Sequence, residues 1–409
     1  ASWADVAGGK AKRTVVTEYA ALQEHVKKVG GFDWAERLYA SPLDSDGVVL
    51  PNTMKVHNLE WVADGAAQFI QQNGGPAQRP FFLYVGWTLP HGPDARLSLD
   101  RPASTVFTPS GVWRPNEALV ATTQRTRQEV RKAAVDFVAA ATGSNADSDA
   151  NEADQTAGRQ WPTGWQGHKQ YAQALAWLDR GVGTVVWALQ RRGALHNTLL
   201  AFTSDQPAVD KGHCYSRGTR VPLLMQWPAR LPAGGGYTGM VSHIDIVPTM
   251  IEAAMGTGAT GNDSFHDQGH LWTFGAPILG SSGASLLAAA AASCPGSPPA
   301  PEVHSWLLCE SGHSRAILSP RHRYLVGKGE ADFGASGRHP AIHQAEQLYD
   351  IITDQAEVTE LISTTLSHEV PPEDTAASAA ATTATAALAA LRSTLMRTLA
   401  NSSAPCGVV

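Results

Sequence analysis

The sequence predicts an α/β protein with a doubly wound, mainly parallel sheet, helices on both faces, and a small C-terminal antiparallel sheet with a helix. Two observations predict the doubly wound sheet. A helical pattern is followed by a short apolar strand pattern twice, at 60–88 and at 170–205, and the connections are too long for hairpins. Such alternation is typical of right-handed β-α-β units. Beyond residue 275, four strand patterns follow one another without helices between them, which is typical of an antiparallel meander.

Each element has its own local signal. Apolar residues at helical spacing, followed by glycine, predict amphipathic helices at 17–30, 60–73 and 170–193. Nearly continuous apolar runs predict strands buried on both faces at 80–88, 198–205 and 221–228. The C-terminal strands are predicted at 306–310, 315–318, 323–326 and 347–351. A run rich in Ala and Leu predicts a terminal helix at 376–400.

The same patterns predict the domain boundaries. A large α/β domain is expected over 1–275, and a small subdomain with the antiparallel sheet and the terminal helix over 276–409. Within the first, residues 101–164 are rich in Ala, Ser, Thr, Asn and Asp. That polarity predicts a solvated insertion or loop. We assign no function to it.

Composition excludes several classes of protein. With 43% apolar and 17% charged residues, the chain is of globular type. Its net charge is −6, from 31 Lys and Arg against 37 Asp and Glu, so no global positive field attracts nucleic acid or an anionic membrane. An anionic substrate must therefore be held by a local cluster of cations. No apolar stretch approaches the roughly 18 residues that suggest a transmembrane helix.

Cysteine usage and the first residues bear on the compartment. The four cysteines form no C-x-x-C pair, which argues against a structural zinc site and leaves one or two disulfides open. Acceptor triplets at Asn262 and Asn401 favour secretion or a secretory-pathway lumen, although such triplets also arise by chance. The chain begins at Ala1 without a leader pattern, so a signal peptide is absent, removed, or lost with a missing N-terminal part.

Two positions lie just past predicted strands. Ligands of parallel α/β sheets bind beyond the carboxyl ends of the strands. Pro90-His91 follows the strand at 80–88, and Asp205-Gln206 follows the strand at 198–205. Carboxylate and amide oxygens suit a hard divalent cation, whereas an Asp after a strand taken alone is more often a cap or turn residue.

Four segments, in this order, carry a resemblance to a known family: PFFLYVGWTLPHGP at 80–93, TLLAFTSDQ at 198–206, KGHCYSRGTRVPLLMQWP at 211–228 and VSHIDIVPTMIEAA at 241–254. The chain resembles the type I sulfatase (arylsulfatase-like) family, calcium-dependent sulfuric ester hydrolases of the alkaline-phosphatase-like superfamily. RAILSPRHRYLVG at 315–327 and EQLYDIITD at 346–354 resemble the family's small terminal sheet. The resemblance thus covers most of the chain outside 101–160, and it implies an alkaline-phosphatase-like fold.

The resemblance implies roles for particular residues. Asp205 and Gln206 match the pair that ligates Ca²⁺. Lys211 matches the lysine that contacts the sulfate and the bridging oxygen, and His91 the histidine that orients sulfate or assists the leaving group. Sulfate-ester hydrolysis places negative charge on the sulfuryl group and the departing oxygen, so cations and one proton donor suit this chemistry. We predict that these four side chains converge on one oxyanion pocket that binds a sulfated small molecule or glycan.

The chain departs from the family pattern at several positions. Pro207 replaces a common glycine, and Ser216 and Arg217 stand where Glu and Gly are usual. Arg217 is either a further sulfate contact or a solvent-exposed side chain. None of the four cysteines lies in C-x-P-S-R, the motif whose cysteine becomes the formylglycine nucleophile. We therefore expect negligible sulfatase activity from this polypeptide by itself.

Three explanations stay open at this point. The chain is a fragment whose nucleophile segment, with its formylglycine, precedes Ala1, or a non-catalytic sulfatase-like protein that binds sulfated glycans. The third is a phospho- or phosphono-hydrolase of the same superfamily. Since His91 and Lys211 are both retained, we favour the fragment.

Two further patterns suggest other chemistry. Ser242-His243-x-Asp245 contains the residue types of a hydrolase triad, but triad members converge in space rather than in adjacent positions, so we predict packing and helix capping. Asp210, His213 and Cys214 suggest a transition-metal site, but the sulfatase resemblance accounts better for the stretch. Cys214 is predicted to be buried or disulfide-bonded.

Overall fold

The structure is a computed structural model. It describes residues 19–38, 57–75, 78–91, 95–100, 102–104, 106–108, 110–142, 169–207, 213–255, 264–267, 270–273, 283–293, 299–311, 314–327, 345–363 and 375–402. The chain divides into two compact units, Ala1–Leu195 and His196–Val409, and each is described by itself. The domain boundary predicted at 275 stays a prediction.

The first unit is mainly helical. Its described elements are α1 (Tyr19–Gly30), α2 (Leu59–Asn73), α3 (Arg96–Leu99), the antiparallel hairpin of β1 (Val106–Thr108) and β2 (Gly111–Trp113), α4 (Glu117–Thr142) and α5 (Lys169–Arg191). The three amphipathic helices predicted from apolar spacing are therefore confirmed, with ends that differ by one or two residues.

The core of this unit forms where α2 and α4 pack against α5. Trp61 of α2 and Trp177 of α5 are both fully buried. One carboxylate joins all three helices, because Glu60 Oε1 accepts hydrogen bonds from Arg127 Nε at 2.8 Å and from Trp177 Nε1 at 3.0 Å. A buried arginine paired in this way avoids the cost of an isolated charge.

Part of the predicted insertion at 101–164 is regular structure. The hairpin and α4 lie within it, and residues 143–168 lie outside the described residues. Thr123, Arg127 and Val130 are buried at helical spacing, which gives α4 one face that packs against α5. The polar composition of 101–164 did not predict this buried face, because two of its three residues are themselves polar.

The segment 80–88 differs from the predicted buried strand. It forms no strand, and no strand pairs with it among the described residues. Phe82 and Tyr84 are 55% and 76% exposed. An apolar run favours extended backbone, whereas pairing and burial depend on a neighbouring strand that the local sequence does not specify.

The second unit combines small sheets with short helices. Its described elements are β3 (Leu200–Thr203), α6 (Ser216–Thr219), β4 (Leu223–Gln226), α7 (Ile246–Met255), β5 (Ser264–Asp267), β6 (His270–Thr273), α8 (Leu287–Ala291), β7 (Leu307–Ser311), β8 (Ser314–Leu318), β9 (His322–Val326), β10 (Glu346–Asp350) and α9 (Thr375–Ser402). The strands predicted at 198–205 and 221–228 are present as β3 and β4.

The direction of β4 corrects one prediction. β3 and β4 pair antiparallel, with Leu200 opposite Gln226 and Thr203 opposite Leu223, and every strand pairing among the described ranges is antiparallel. A parallel pair needs a crossover, usually a helix of some length. The connection 204–222 contains, as far as it is described, only the four-residue α6. The α/β class with a small C-terminal antiparallel sheet is nevertheless confirmed.

The C-terminal sheet is the meander that the sequence predicts. Its strand order is β10-β9-β8-β7, all antiparallel, and α9 packs on β8 and β9. The apolar core between sheet and helix is fully closed to solvent at Ile317 and Leu348, which pack with Leu391 and Leu395 of α9. None of the described helices combines the length with the apolarity that a membrane crossing needs.

Candidate functional site

His91 lies in the turn that follows the segment 80–88 of the first unit. Its side chain is exposed, and its backbone N–H donates to the Thr88 carbonyl at 3.0 Å. The buried His57 approaches the same threonine, with Nδ1 2.7 Å from Thr88 Oγ1, while the backbone N–H of His57 donates to Ser98 Oγ at 2.9 Å. Thr88 therefore contacts His91 through its carbonyl and His57 through its hydroxyl. The sequence alone did not reveal that His57 helps to hold this turn.

Asp205 and Gln206 lie two and three residues past Thr203, the last residue of β3 in the second unit. Asp205 is exposed and Gln206 is half-buried. The backbone carbonyl of Gln206 accepts a hydrogen bond from Ser204 Oγ at 2.7 Å. At the end of β3, Thr203 Oγ1 donates to the Pro222 carbonyl at 2.8 Å, which fixes the strand end against the segment entering β4.

The chemistry of this pair fits a hard cation. A carboxylate and an amide carbonyl are the oxygen types that calcium prefers, and calcium takes six to eight such ligands. Among the residues that the structure describes, no group of three or more His, Cys, Asp or Glu is gathered together. Two oxygen ligands fall short of the six to eight that calcium takes, so the predicted site would need further oxygen ligands besides Asp205 and Gln206.

The segment 213–220, defined here as the α6 segment, is fixed by the C-terminal sheet. Tyr215 is buried, and its hydroxyl donates to Gln347 Oε1 on β10 at 2.7 Å. The hydroxyl of Tyr349 donates to the same oxygen at 2.9 Å. Burial raises the pKa of both phenols, so they stay neutral donors at ordinary pH.

A buried ion pair holds the start of α6. Arg323 Nε lies 2.6 Å from Glu357 Oε1, and both side chains are almost fully buried. The Ser216 N–H donates to Glu357 Oε2 at 2.7 Å, and its hydroxyl donates to Oε1 at 2.9 Å. Arg323 also donates to the Cys214 carbonyl through Nη1 and to Ser216 Oγ through Nη2. Burial raises the pKa of Glu357, and the adjacent guanidinium of Arg323 opposes that rise.

This anchoring leaves Arg217 on the surface. Its side chain is exposed on α6, with Tyr215 and Ser216 before it held against the sheet. Lys211 lies outside the described residues. His91 belongs to the first unit, whereas Asp205, Gln206 and Arg217 belong to the second. The predicted convergence of His91, Asp205, Gln206 and Lys211 thus stays a prediction.

Gly218 permits the close turn of the α6 segment. A Cβ on Gly218 would lie 2.4 Å from His213 Nδ1 and 2.5 Å from the His213 backbone oxygen. The second distance involves backbone, which cannot move aside as a flexible side chain can. The glycine is therefore required by packing at this position.

We expect Gly218→Ala to lower the free energy of unfolding of the second unit by about 2–3 kcal/mol, because the added methyl group forces the backbone of the segment apart. Urea unfolding monitored by tryptophan fluorescence measures the change. Gly236→Ala is the matched control, since a Cβ there meets nothing within 4 Å. Equal stabilities of the two variants would contradict the packing argument.

His243 and Asp245 take the packing and capping roles that the sequence predicts, and Ser242 is the N-cap residue of the helix start. Asp245 is fully buried, and its Oδ2 accepts from the Ser242 N–H at 2.7 Å. Its Oδ1 accepts from the Ala284 N–H at 2.8 Å and lies 2.8 Å from His304 Nε2. His243 Nε2 lies 3.1 Å from Thr203 Oγ1. The packing and capping interpretation is confirmed.

Comparison with known proteins identifies the family of the chain. The family model described as Sulfatase matches residues 21–257, more than half of the 409 residues. This chain belongs to the sulfatase family. The matched range contains His91, Asp205, Gln206, Lys211 and Arg217, whereas the β7–β10 sheet that anchors the α6 segment lies beyond it.

Individual sulfatases match shorter stretches. The chain is 27% identical over 211 residues to arylsulfatase K of Xenopus laevis, covering 49% of this chain and 37% of that protein. It is 32% identical over 109 residues to the uncharacterized sulfatase YdeN of Escherichia coli strain K12, covering 24% and 19%. The chain thus spans well under two thirds of the curated relatives that it matches. A structure of BT4656 in complex with its substrate D-glucosamine-2-N,6-O-disulfate is 18% identical, with a TM-score of 0.35 over 49% of this chain and 37% of that chain.

The structure also shows partners that the sequence motifs did not reveal. Arg323, Glu357 and Gln347 fix the α6 segment, yet each lies more than 100 residues from it in the chain. No local pattern marks these residues as partners. Arg323 lies inside the predicted strand β9, two positions before Leu325, and this period of two is the signal that the two side chains share one face of the sheet.

Proposed function

We propose that this chain contributes the cation- and sulfate-binding residues of a sulfuric ester hydrolase that acts on aryl or carbohydrate sulfate esters. The observation that carries the proposal is the pair of exposed Asp205 and half-buried Gln206 just past the end of β3, within the range that the sulfatase family model matches. By analogy with secreted and lumenal hydrolases that carry N-linked sugars, we propose a secretory-pathway location. The acceptor triplets at Asn262 and Asn401 support that part.

In this proposal, each residue acts on the anionic group. Asp205 and Gln206 would hold Ca²⁺, which when bound would supply Lewis-acid stabilisation of negative charge on the sulfuryl group. Lys211 donates to the sulfate and to the bridging oxygen. Arg217, which is exposed on the α6 segment, adds a second cation. His91 orients the sulfate or donates a proton to the departing oxygen. The fixed turn at Thr88 restricts where the His91 backbone lies.

The nucleophile is a separate requirement. C-x-P-S-R does not occur in the 409 residues, so we propose that formylglycine is supplied by sequence additional to this chain and that the chain alone does not turn over sulfate esters. A non-catalytic sulfatase-like protein that binds sulfated glycans is the second candidate, and the same lack of C-x-P-S-R in these residues favours it.

Calcium titration by calorimetry tests the metal site. We expect Asp205→Asn to weaken calcium binding about tenfold or more, because it removes the negative charge of one ligand. Asp179→Asn is the matched control, since Asp179 is exposed on α5 and distant in sequence from β3. Unchanged calcium affinity in Asp205→Asn would overturn the assignment.

Turnover separates the remaining candidates. The purified chain is assayed with an aryl sulfate, a 6-sulfated glucosamine and an aryl phosphate, alone and as a longer polypeptide that contains C-x-P-S-R upstream in frame. Sulfate release by the longer form alone is the expected result. Sulfate release by the chain alone would contradict the nucleophile argument, binding without release in both forms would favour the non-catalytic protein, and phosphate release would favour a phosphohydrolase.

A further inference from the structure

Two thiols of the second unit meet between the α6 segment and the C-terminal sheet. Cys214 is fully buried at the start of the segment, and Cys309 is half-buried on β7. Their Sγ atoms lie 2.8 Å apart, although the residues are 95 positions apart in the chain. That distance is only roughly 0.8 Å longer than a covalent S–S bond. A small shift of either side chain therefore brings the sulfurs within bonding distance.

The surroundings favour a reactive sulfur at Cys214. The hydrogen bond from Cys309 lowers the pKa of Cys214 despite its burial, and the guanidinium groups of Arg323 and Arg315 act in the same direction. The backbone on both sides is fixed, because the Cys214 carbonyl accepts from Arg323 and Cys309 pairs with Ala316 in the β7–β8 ladder. A thiol with a lowered pKa held against a second cysteine is an arrangement from which disulfides form.

We propose that Cys214 and Cys309 form a disulfide that fastens the α6 segment to strand β7. The oxidant is a low-molecular-weight disulfide such as oxidised glutathione. The partly exposed Cys309 passes its proton to Cys214 Sγ along their hydrogen bond and, as a thiolate, attacks the small disulfide first. This forms a mixed disulfide and releases one glutathione thiolate, which takes that proton from Cys214. The Cys214 thiolate then attacks the Cys309 sulfur and expels the second glutathione as a thiolate, which takes up the proton that Cys214 lost. Two protein thiols are oxidised by two electrons, and one small disulfide is reduced to two thiols.

The bond has a structural consequence at the candidate site. Arg217 lies three residues after Cys214, so the disulfide adds a covalent attachment to the Tyr215–Gln347 and Ser216–Glu357 contacts that position this stretch. Closing a ring of this length restricts the unfolded chain, which raises the midpoint of thermal unfolding. The inference does not depend on the proposed hydrolase activity, because it concerns only how the segment is held.

Peptide mapping tests the bond directly. The full chain is equilibrated with oxidised and reduced glutathione, blocked with an alkylating reagent in denaturant, and digested with trypsin and a glutamate-specific protease. Cleavage after Lys211, Arg217, Glu302 and Glu310 places Cys214 in 212–217 and Cys309 in 303–310, apart from Cys294 and Cys406. We expect these two peptides joined and unalkylated, and separate after reduction. Both alkylated, or either joined instead to Cys294 or Cys406, would overturn the proposal.

Thermal unfolding provides a second readout. In a Cys294→Ser/Cys406→Ser background, reduction is expected to lower the unfolding midpoint by roughly 5–10 °C. The matched control carries Cys309→Ala in addition, and its midpoint should not respond to reductant. An equal response of both variants would show that reduction acts elsewhere. If Cys309→Ala does not fold, the mapping of the unsubstituted chain still decides the outcome.

Discussion

Glu357→Gln is expected to lower the free energy of unfolding of the second unit by about 3–5 kcal/mol, because it leaves the buried charge of Arg323 without its partner. The Arg323 side chain is 3% exposed and its Nε lies 2.6 Å from the carboxylate, so water cannot solvate the guanidinium once the carboxylate is lost. The substitution also weakens both acceptors of Ser216. Chemical denaturation followed by tryptophan fluorescence and circular dichroism measures the loss.

A matched pair on the same sheet serves as control. Glu310 pairs with Arg315, but these side chains are 51% and 28% exposed. Solvent screening reduces the value of such a pair, so Glu310→Gln should cost less than about 1 kcal/mol. A cost for Glu357→Gln no larger than this would mean that the buried pair contributes nothing beyond an ordinary surface pair. Replacing Glu357 and Arg323 together with apolar residues should recover part of the loss, since no unpaired charge then remains.

Asp245→Ala is expected to have the second large effect, about 3–5 kcal/mol. The carboxylate is inaccessible to solvent and accepts from two backbone N–H groups, those of Ser242 and Ala284, while His304 lies 2.8 Å from it. Removing it leaves these buried groups unsatisfied, each at a cost of roughly 1–3 kcal/mol. It also removes the cap before α7.

The control for this prediction is the same substitution at an exposed aspartate of the same unit. Asp205→Ala removes a carboxylate that lies in solvent, so the free energy of unfolding without calcium should change by less than about 0.5 kcal/mol. The two variants also separate stability from binding. Asp245→Ala should unfold more readily, whereas Asp205→Ala should fold normally and bind calcium less tightly. Similar unfolding curves for both would contradict the burial argument.

Local patterns predicted most elements because their signals lie within single segments. The helix predicted at 60–73 is observed at Leu59–Asn73, since apolar residues at a spacing of three and four have one face to bury. The strands of the C-terminal meander appear within one residue of their predicted bounds. The family resemblance was likewise carried by contiguous motifs, and the family model confirms it over 21–257.

Patterns that required a partner were predicted less well. The run at 80–88 favoured extended backbone, but whether another strand pairs with it is a property of the neighbour. The antiparallel pairing of β3 with β4 depended on the path of 204–222, which apolar periodicity does not encode. Helix α4 was missed because its buried face contains Thr123 and Arg127, polar residues that composition assigns to solvent.

The sequence by itself determined the family, the α/β class and the candidate ligands Asp205 and Gln206 at the end of a strand, because these depend on residues close together in the chain. Only the tertiary structure decided how the α6 segment is held: by Gln347, Arg323 and Glu357, and by Cys309 beside Cys214. These partners lie 95 to 141 residues away from their contacts. Such contacts are stabilised by burial and charge pairing that arise only when segments far apart in the chain pack together. Local sequence patterns do not encode which distant residues meet.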